Sequence, residues 1–176
     1  TGYEALLRWP HPRRGQVPPA EFIPLAEDNG MIEALGTWVL NSACREAARW
    51  PGEVGVAVSL SAAQFGSGNL VEVVKWALVD SGLPARRLEL EITESLLIAH
   101  TEPVVPVLRT LRQMGVRIAM DDFGTGYSSL SYLWRFPFDK LKIDRAFTQA
   151  IAEDARVELI VQSIVSLAHA MRIAVN

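Results

Sequence analysis

The amino-acid sequence predicts an α/β fold, a (β/α) barrel left incomplete, on three observations. Short apolar runs of strand length alternate with amphipathic helical stretches. The unusual polar residues fall late in several of these runs rather than in one. The 176 residues hold about six strand candidates, whereas a complete barrel takes about 250 residues.

The strand candidates are 3–9, 55–61, 88–93, 117–122, 138–144 and 173–176, each containing β-branched or aromatic residues. Between most of them lie helical patterns. The 34–50 stretch places Leu35, Trp38, Val39, Ala43 and Ala47 on one side, and 70–81 does the same with Val73, Val74, Ala77 and Leu78. Val107, Leu108 and Leu111 carry 104–114, and Leu159, Ile160, Ser163, Ile164 and Leu167 carry 155–171. Strands joined by helices imply right-handed crossovers and a largely parallel sheet, either closed or left open and doubly wound. Ser59 and Ser61 close the second run, Glu91 and Thr93 the third, Asp121 and Asp122 the fourth, and Lys142 and Asp144 the fifth. A barrel gathers functional groups from many strands at its C-terminal face, whereas an open sheet concentrates them at one switch point. The spread favours the barrel.

One domain spanning 1–176 is expected, because the chain is 49% hydrophobic and shows no repeat, low-complexity tract or long linker. No apolar run approaches the roughly 18 residues of a membrane span, and no basic segment leads into an apolar one at the start. The segment is therefore expected to be soluble and to make no membrane contact of its own. A formal charge of −3 gives no basic face for duplex binding, so DNA is not an expected partner. Cys44 is the single cysteine and sits among Ala43, Ala47 and Ala48, which excludes an internal disulfide and reads as packing.

Glu4, Glu91, Glu94, Asp121, Asp122 and Asp144 lie within or directly after apolar strand-like runs, where an unpartnered carboxylate is costly. Something positive must sit among them. With no Cys/His cluster, an all-oxygen set suits Mg²⁺, Mn²⁺ or Ca²⁺. Consecutive strand side chains face opposite ways, so Asp121 and Asp122 reach one site only if the strand stops there. Such a pair can serve two metals, which points to phosphodiester hydrolysis. DFGTGYSSL, from Asp122, reads as a shaped loop beside the acids, and Arg8 and Lys142 as cations able to hold phosphate oxygens or orient a water. The DFG fragment is not a kinase signature, since no glycine-rich nucleotide loop or HRD sequence accompanies it. His11, His100 and His169 occur singly and read as structural or solvated. Trp9, Trp38, Trp50 and Trp76 read as packing, with Trp134 set apart as a stacking candidate. The pairs Arg13–Arg14 and Glu27–Asp28 read as solvated charges, in a loop and at a helix end.

In order along the chain stand YEALLRW from Tyr3, VPPAEFIPLAEDNGMI from Val17, LELEITES from Leu88, MDDFGTGYSSL from Met120 and FDKLKIDRAF from Phe138. Through these five blocks the chain resembles the EAL domain family over essentially its whole length. The resemblance implies a TIM-like (β/α) barrel whose first strand is antiparallel to the rest, and hydrolysis of cyclic di-GMP to linear pGpG at a two-metal site in bacterial signalling. It implies that Glu4, Glu91 and Asp121 ligate a first divalent ion and Asp121 and Asp122 a second, Mg²⁺ or Mn²⁺, with Ca²⁺ inhibitory. Arg8, with Leu6 beside it, would contact substrate, Lys142 would orient or help activate the attacking water, and Glu94 would anchor the 122–130 loop. That loop lies near the dimer interface in the family, so a homodimer is expected. Asp144, next to Arg145, is left as an ion pair or a cap.

Two departures stand out. Ser59 replaces a family asparagine ligand and is a shorter, weaker neutral donor. Against the family pattern the chain starts after the first strand and stops before the last ones, so a partial barrel with exposed edges is expected. Ser59 keeps an alternative open, a degenerate EAL module that binds cyclic di-GMP, or no ligand, and regulates a neighbouring domain. GGDEF or sensory domains are expected to flank the segment in a cytoplasmic arrangement, in a parent that could be membrane-anchored.

Overall fold

The computed structural model describes residues 2–99, 101–124, 131–151 and 154–176. Its organising feature is strand alternation, seen best in β5 (Leu88–Thr93). Leu88, Leu90 and Ile92 are fully buried on one side, and Glu89, Glu91 and Thr93 point to the other. The same period places Val56 and Val58 of β4 (Gly55–Ser59), Ile118 and Met120 of β6 (Arg117–Phe123) and Leu141 of β7 (Lys140–Ile143) in the apolar layer. Helices α2 (Ile32–Ala48), α4 (Leu70–Ser81) and α6 (Thr101–Gln113) cover that layer through Leu40, Cys44, Val74, Ala77, Leu108 and Leu111. At roughly 1.5–3 kcal/mol per buried aliphatic side chain, this layer is the main source of stability.

With β1 (Gly2–Glu4) and β8 (Ala174–Val175), the strands form one sheet in the order β1-β4-β5-β6-β7-β8, every neighbouring pair parallel. The antiparallel first strand implied by the family resemblance is not among the described strands. The sheet is curled, as one distance shows. Four strand spacings separate β1 from β7, about 19 Å in a flat sheet, yet Lys142 Nζ lies 3.5 Å from Glu4 Oε2. The polar side chains therefore face the inside of a partial barrel, with β1 and β8 as its edges.

Other expectations need correction. The 3–9 run is not one strand: after Ala5 N–H donates to Ala57 O at 2.9 Å, the chain leaves the sheet. It enters a separate hairpin of β2 (Trp9–His11) and β3 (Gly15–Val17). Pro10 lacks the donor a central strand needs, and Gly15 supplies the positive φ of +69° at the turn. Of helix α1 (Pro19–Asp28) only an end at Glu27–Asp28 was expected, since Pro24 interrupts its pattern, although Pro19 suits a first turn. The short helices α3 (Ala62–Gly66), α5 (Glu94–Ala99), α7 (Ser131–Arg135) and α8 (Arg145–Ala150) were not foreseen either.

Trp38 and Trp76 are exposed rather than packed, because α2 buries Leu40, Ala43, Cys44 and Ala47, and α4 buries Leu70, Val74, Ala77 and Leu78. Trp50 packs against the core, edge-on to Tyr3, whereas Trp9 is edge-on to Phe22 but exposed. In α9 (Ala155–Ala170), Leu159 and Ile160 are exposed, and packing comes from Ile164, Leu167 and Ala168 near its C-terminal end.

Candidate active site

Glu4 ends β1, Glu91 and Asp121 lie late in β5 and β6, and Lys142 lies late in β7, all on the inner face. Lys142 Nζ sits 2.9 Å from Glu91 Oε2, 3.0 Å from Asp121 Oδ2 and 3.5 Å from Glu4 Oε2. Four positions spread over 139 residues of sequence are thus brought to one point by the curl of the sheet. Burial opposes the Lys142 charge, but hydrogen bonds and attraction from Glu91 and Asp121 outweigh it and hold the ammonium protonated well above its ordinary range. Burial pushes the Glu91 carboxyl up, aided by the charges of Glu4 and Asp121 and opposed by Lys142. Three carboxylates therefore share one ammonium.

Asp121 reaches Lys142, and the backbone at Asp121 and Asp122 differs from the one predicted. β6 does not stop at them but continues to Phe123, and its pairing with β7 shifts between Met120 and Phe123. Within this bulge Asp122 adopts φ +54°, a left-handed conformation that aspartate tolerates better than most residues. Its N–H donates to Asp121 Oδ1 at 3.0 Å. Burial first, then the charges of Asp121 and Asp144, raise the Asp122 carboxyl, with Lys142 opposing. Asp144 caps α8 by accepting from Ala146 N–H at 2.8 Å.

Glu94, buried at the start of α5, accepts the Gly124 N–H at 3.1 Å across the bulge. Gly124 has φ +100°, and a Cβ there would meet Phe147 Cε2 at 2.4 Å. Residues 125–130 of the loop beyond, and with them the expected dimer contact, lie outside the described residues, as does His100. His11 accepts from the N–H groups of Arg13 and Arg14 in the hairpin turn. Arg14 pairs with Glu21, and the Glu27 carboxylate accepts from Ser61 Oγ at 2.5 Å, so neither charge pair is merely solvated. Trp134 is exposed.

Ser59 is directly in register with Glu91 on the neighbouring strand, where parallel partners share a face. It lines an apolar groove of about 520 Å³ together with Leu6, Arg8 and Thr93. Leu6 is exposed, and the Arg8 guanidinium donates to Leu7 O at 2.9 Å. Sequence reasoning passed over Glu89 and Lys140, which pair at 2.6 Å one step below Glu91 and Lys142. The signal was available: ELE and KLK each repeat a charge at the strand period of two.

Among the described residues no cluster of three or more acids, histidines or cysteines is already spaced as a metal cage. The donor chemistry nevertheless fits a hard divalent ion. The three acids that converge are oxygen donors, and these carboxylates outnumber the ammonium three to one.

The fold and site define a β/α-barrel domain with an acidic mouth centred on a lysine. A profile of the EAL domain matches residues 1–175, and the chain belongs to the EAL domain family. It is 51% identical, over 99% of its length, to an uncharacterised signalling protein of Caulobacter vibrioides, and 45%, over 98%, to the cyclic di-GMP phosphodiesterase NbdA of Pseudomonas aeruginosa. It is 44% identical, over 99%, to the bifunctional diguanylate cyclase/cyclic di-GMP phosphodiesterase MucR of the same organism. A solved MucR phosphodiesterase in complex with c-di-GMP superimposes with a TM-score of 0.91, covering 98% of this chain and 71% of that one. The chain spans 22%, 22% and 26% of the length of the three relatives, respectively. No helix among the described residues is long and apolar enough to cross a membrane.

Proposed function

We propose that this domain hydrolyses cyclic di-GMP to linear pGpG with the help of two divalent ions, Mg²⁺ or Mn²⁺. The observation that carries the reading is the convergence of Glu4, Glu91 and Asp121 on Lys142 at the C-terminal ends of the strands. Glu4, Glu91, Asp121 and Asp122 would hold the ions, with Ser59 as a weak neutral donor beside Glu91. Bound there, the ions would supply Lewis-acid stabilisation of charge on the phosphate oxygens and make water a better nucleophile.

The chain's own groups account for the rest. Lys142, which hydrogen-bonds to Glu91 and Asp121, would orient or help activate the attacking water. Arg8 offers a fork for a phosphate oxygen from the rim of the groove, and Leu6 shapes that rim. Glu94 holds the bulge through Gly124, which keeps Asp121 and Asp122 aimed into the mouth. Water adds to phosphorus in line and gives up a proton, the P–O3′ bond breaks, and the 3′ oxygen leaves and takes up a proton. The 122–130 loop is read as facing a second copy in a homodimer. The short share of each relative that the chain spans favours flanking GGDEF or sensory domains, with this domain in the cytoplasm and a parent that could be membrane-anchored.

Titration calorimetry with cyclic di-GMP in Ca²⁺, expected to permit binding without turnover, followed by Mg²⁺ or Mn²⁺ and chromatography for pGpG, tests the reading. Asp121→Asn or Glu91→Gln is expected to lower turnover by more than about 100-fold, beyond the range typical of outer-shell partners. Near-normal turnover in either variant would sink the assignment. A second reading, a receptor that binds without hydrolysis, is favoured by Ser59. Ser59→Asn separates the two: gained turnover marks a weakened metal site, and retained binding without turnover marks the receptor.

A further inference from the structure

Below the acid–lysine centre lies a second pair on the same inner face. Lys140 Nζ meets Glu89 Oε1 at 2.6 Å, with the Glu89 side chain 10% exposed. The two residues belong to strands that are not neighbours. β6 runs between them, and its Ala119, fully buried and too small to obstruct, lets the lysine reach across. Register makes the pairing informative. Ala119 is the direct partner of both Glu91 and Lys140, so the ladder sets Lys140 level with Glu91, a metal-ligand candidate. Lys140 turns instead to Glu89, one side-chain step lower, and Lys142 takes Glu91. Glu89 and Glu91 are two residues apart on one strand, roughly 6.6 Å, a gap within the swing of a four-carbon ammonium stem.

We infer that Glu89 is a positioning residue that holds Lys140 away from Glu91 and so keeps the upper carboxylates free for a divalent ion. The inference rests on the metal-site reading above. With Glu89 present, three carboxylates at the mouth face one ammonium. Without it, Glu91 becomes the next carboxylate within reach of Lys140, and a second ammonium at the mouth opposes the incoming cation.

The test is Mn²⁺ binding to the full chain, read by calorimetry in the absence of nucleotide, for the unsubstituted protein, Glu89→Gln, and Glu89→Gln combined with Lys140→Met. Glu89→Gln is expected to weaken Mn²⁺ binding about ten-fold or more. The double variant removes the competing ammonium together with its partner, and binding is expected to return to within about two-fold of the unsubstituted chain. Thermal melting of the same samples separates this from a merely structural role, in which the unfolding midpoint of Glu89→Gln would fall and recover in step with its Mn²⁺ binding. Unchanged binding in Glu89→Gln, or a double variant as weak as the single, overturns the inference while leaving the metal site standing. If Glu89→Gln does not fold, a ten-fold weaker double variant overturns it alone. Absence of Mn²⁺ binding by the unsubstituted chain overturns the metal-site reading and this inference with it.

Discussion

Gly124 shows how much of the site depends on a residue with no side chain. It follows Asp121, Asp122 and Phe123, donates its N–H to Glu94, and carries a φ of +100° against the ring of Phe147. An alanine there meets both a backbone conformation costing about 1–3 kcal/mol and a ring edge that must move. Gly124→Ala is therefore expected to lower turnover about ten-fold or more, with a smaller effect on the unfolding midpoint, because the strain falls on the bulge rather than the core. Turnover and thermal melting on the same sample check this, and equal turnover would remove Gly124 from the positioning of the acids. At this scale Glu4, Glu91, Asp121 and Lys142 were legible in sequence, since charge late in an apolar run needs a partner. The bulge that turns Asp122 was not. A left-handed aspartate leaves no trace in periodicity, and nothing in the sequence distinguishes a strand that ends from one that kinks.

Among the elements, the joint between α2, β4 and β5 depends on one arginine. Arg87 is 8% exposed and donates from Nη2 to Ala47 O at 2.7 Å and Trp50 O at 3.3 Å, and from Nε to Val54 O at 2.9 Å. These carbonyls lie at the end of α2 and in the loop to β4; Ala47 O also accepts the Trp50 N–H at 3.1 Å, and Arg87 ties it to Trp50 O and Val54 O through one guanidinium. Arg87→Met keeps the stem but removes the donors, and is expected to cost about 2–4 kcal/mol, measured by urea unfolding. A change below half a kilocalorie would mean that water serves those carbonyls equally well. Helix α4 and strand β5 were legible to the residue, because their apolar periods run uninterrupted to a glycine or a turn. The hairpin and α1 were not, since prolines at 10, 18, 19 and 24 break the patterns on which such readings rely.

Across the whole molecule, the buried face of the sheet and its helices behaves as one unit, and Cys44 lies inside it with no exposed surface. Burial raises its thiol from 9.0 to about 11. The unfolded thiol ionises first, so stability is full below about pH 9 and falls as the pH rises from there toward 11. Alkylation of Cys44 is expected only on unfolding, so its rate in urea should track the loss of secondary structure; rapid labelling of the folded chain would show that the core opens locally. The sequence by itself determined that strands alternate with helices, that chemistry-bearing residues end several strands, and that five ordered blocks belong to one family, because each of these is written in local spacing. Only the tertiary structure decided that Lys142 of β7 meets Glu4 of β1, that Lys140 passes Glu91 to pair with Glu89, and that Asp121 and Asp122 share a bulge. Those contacts depend on the curl and register of a parallel sheet, which are set by all the strands together and by no single segment.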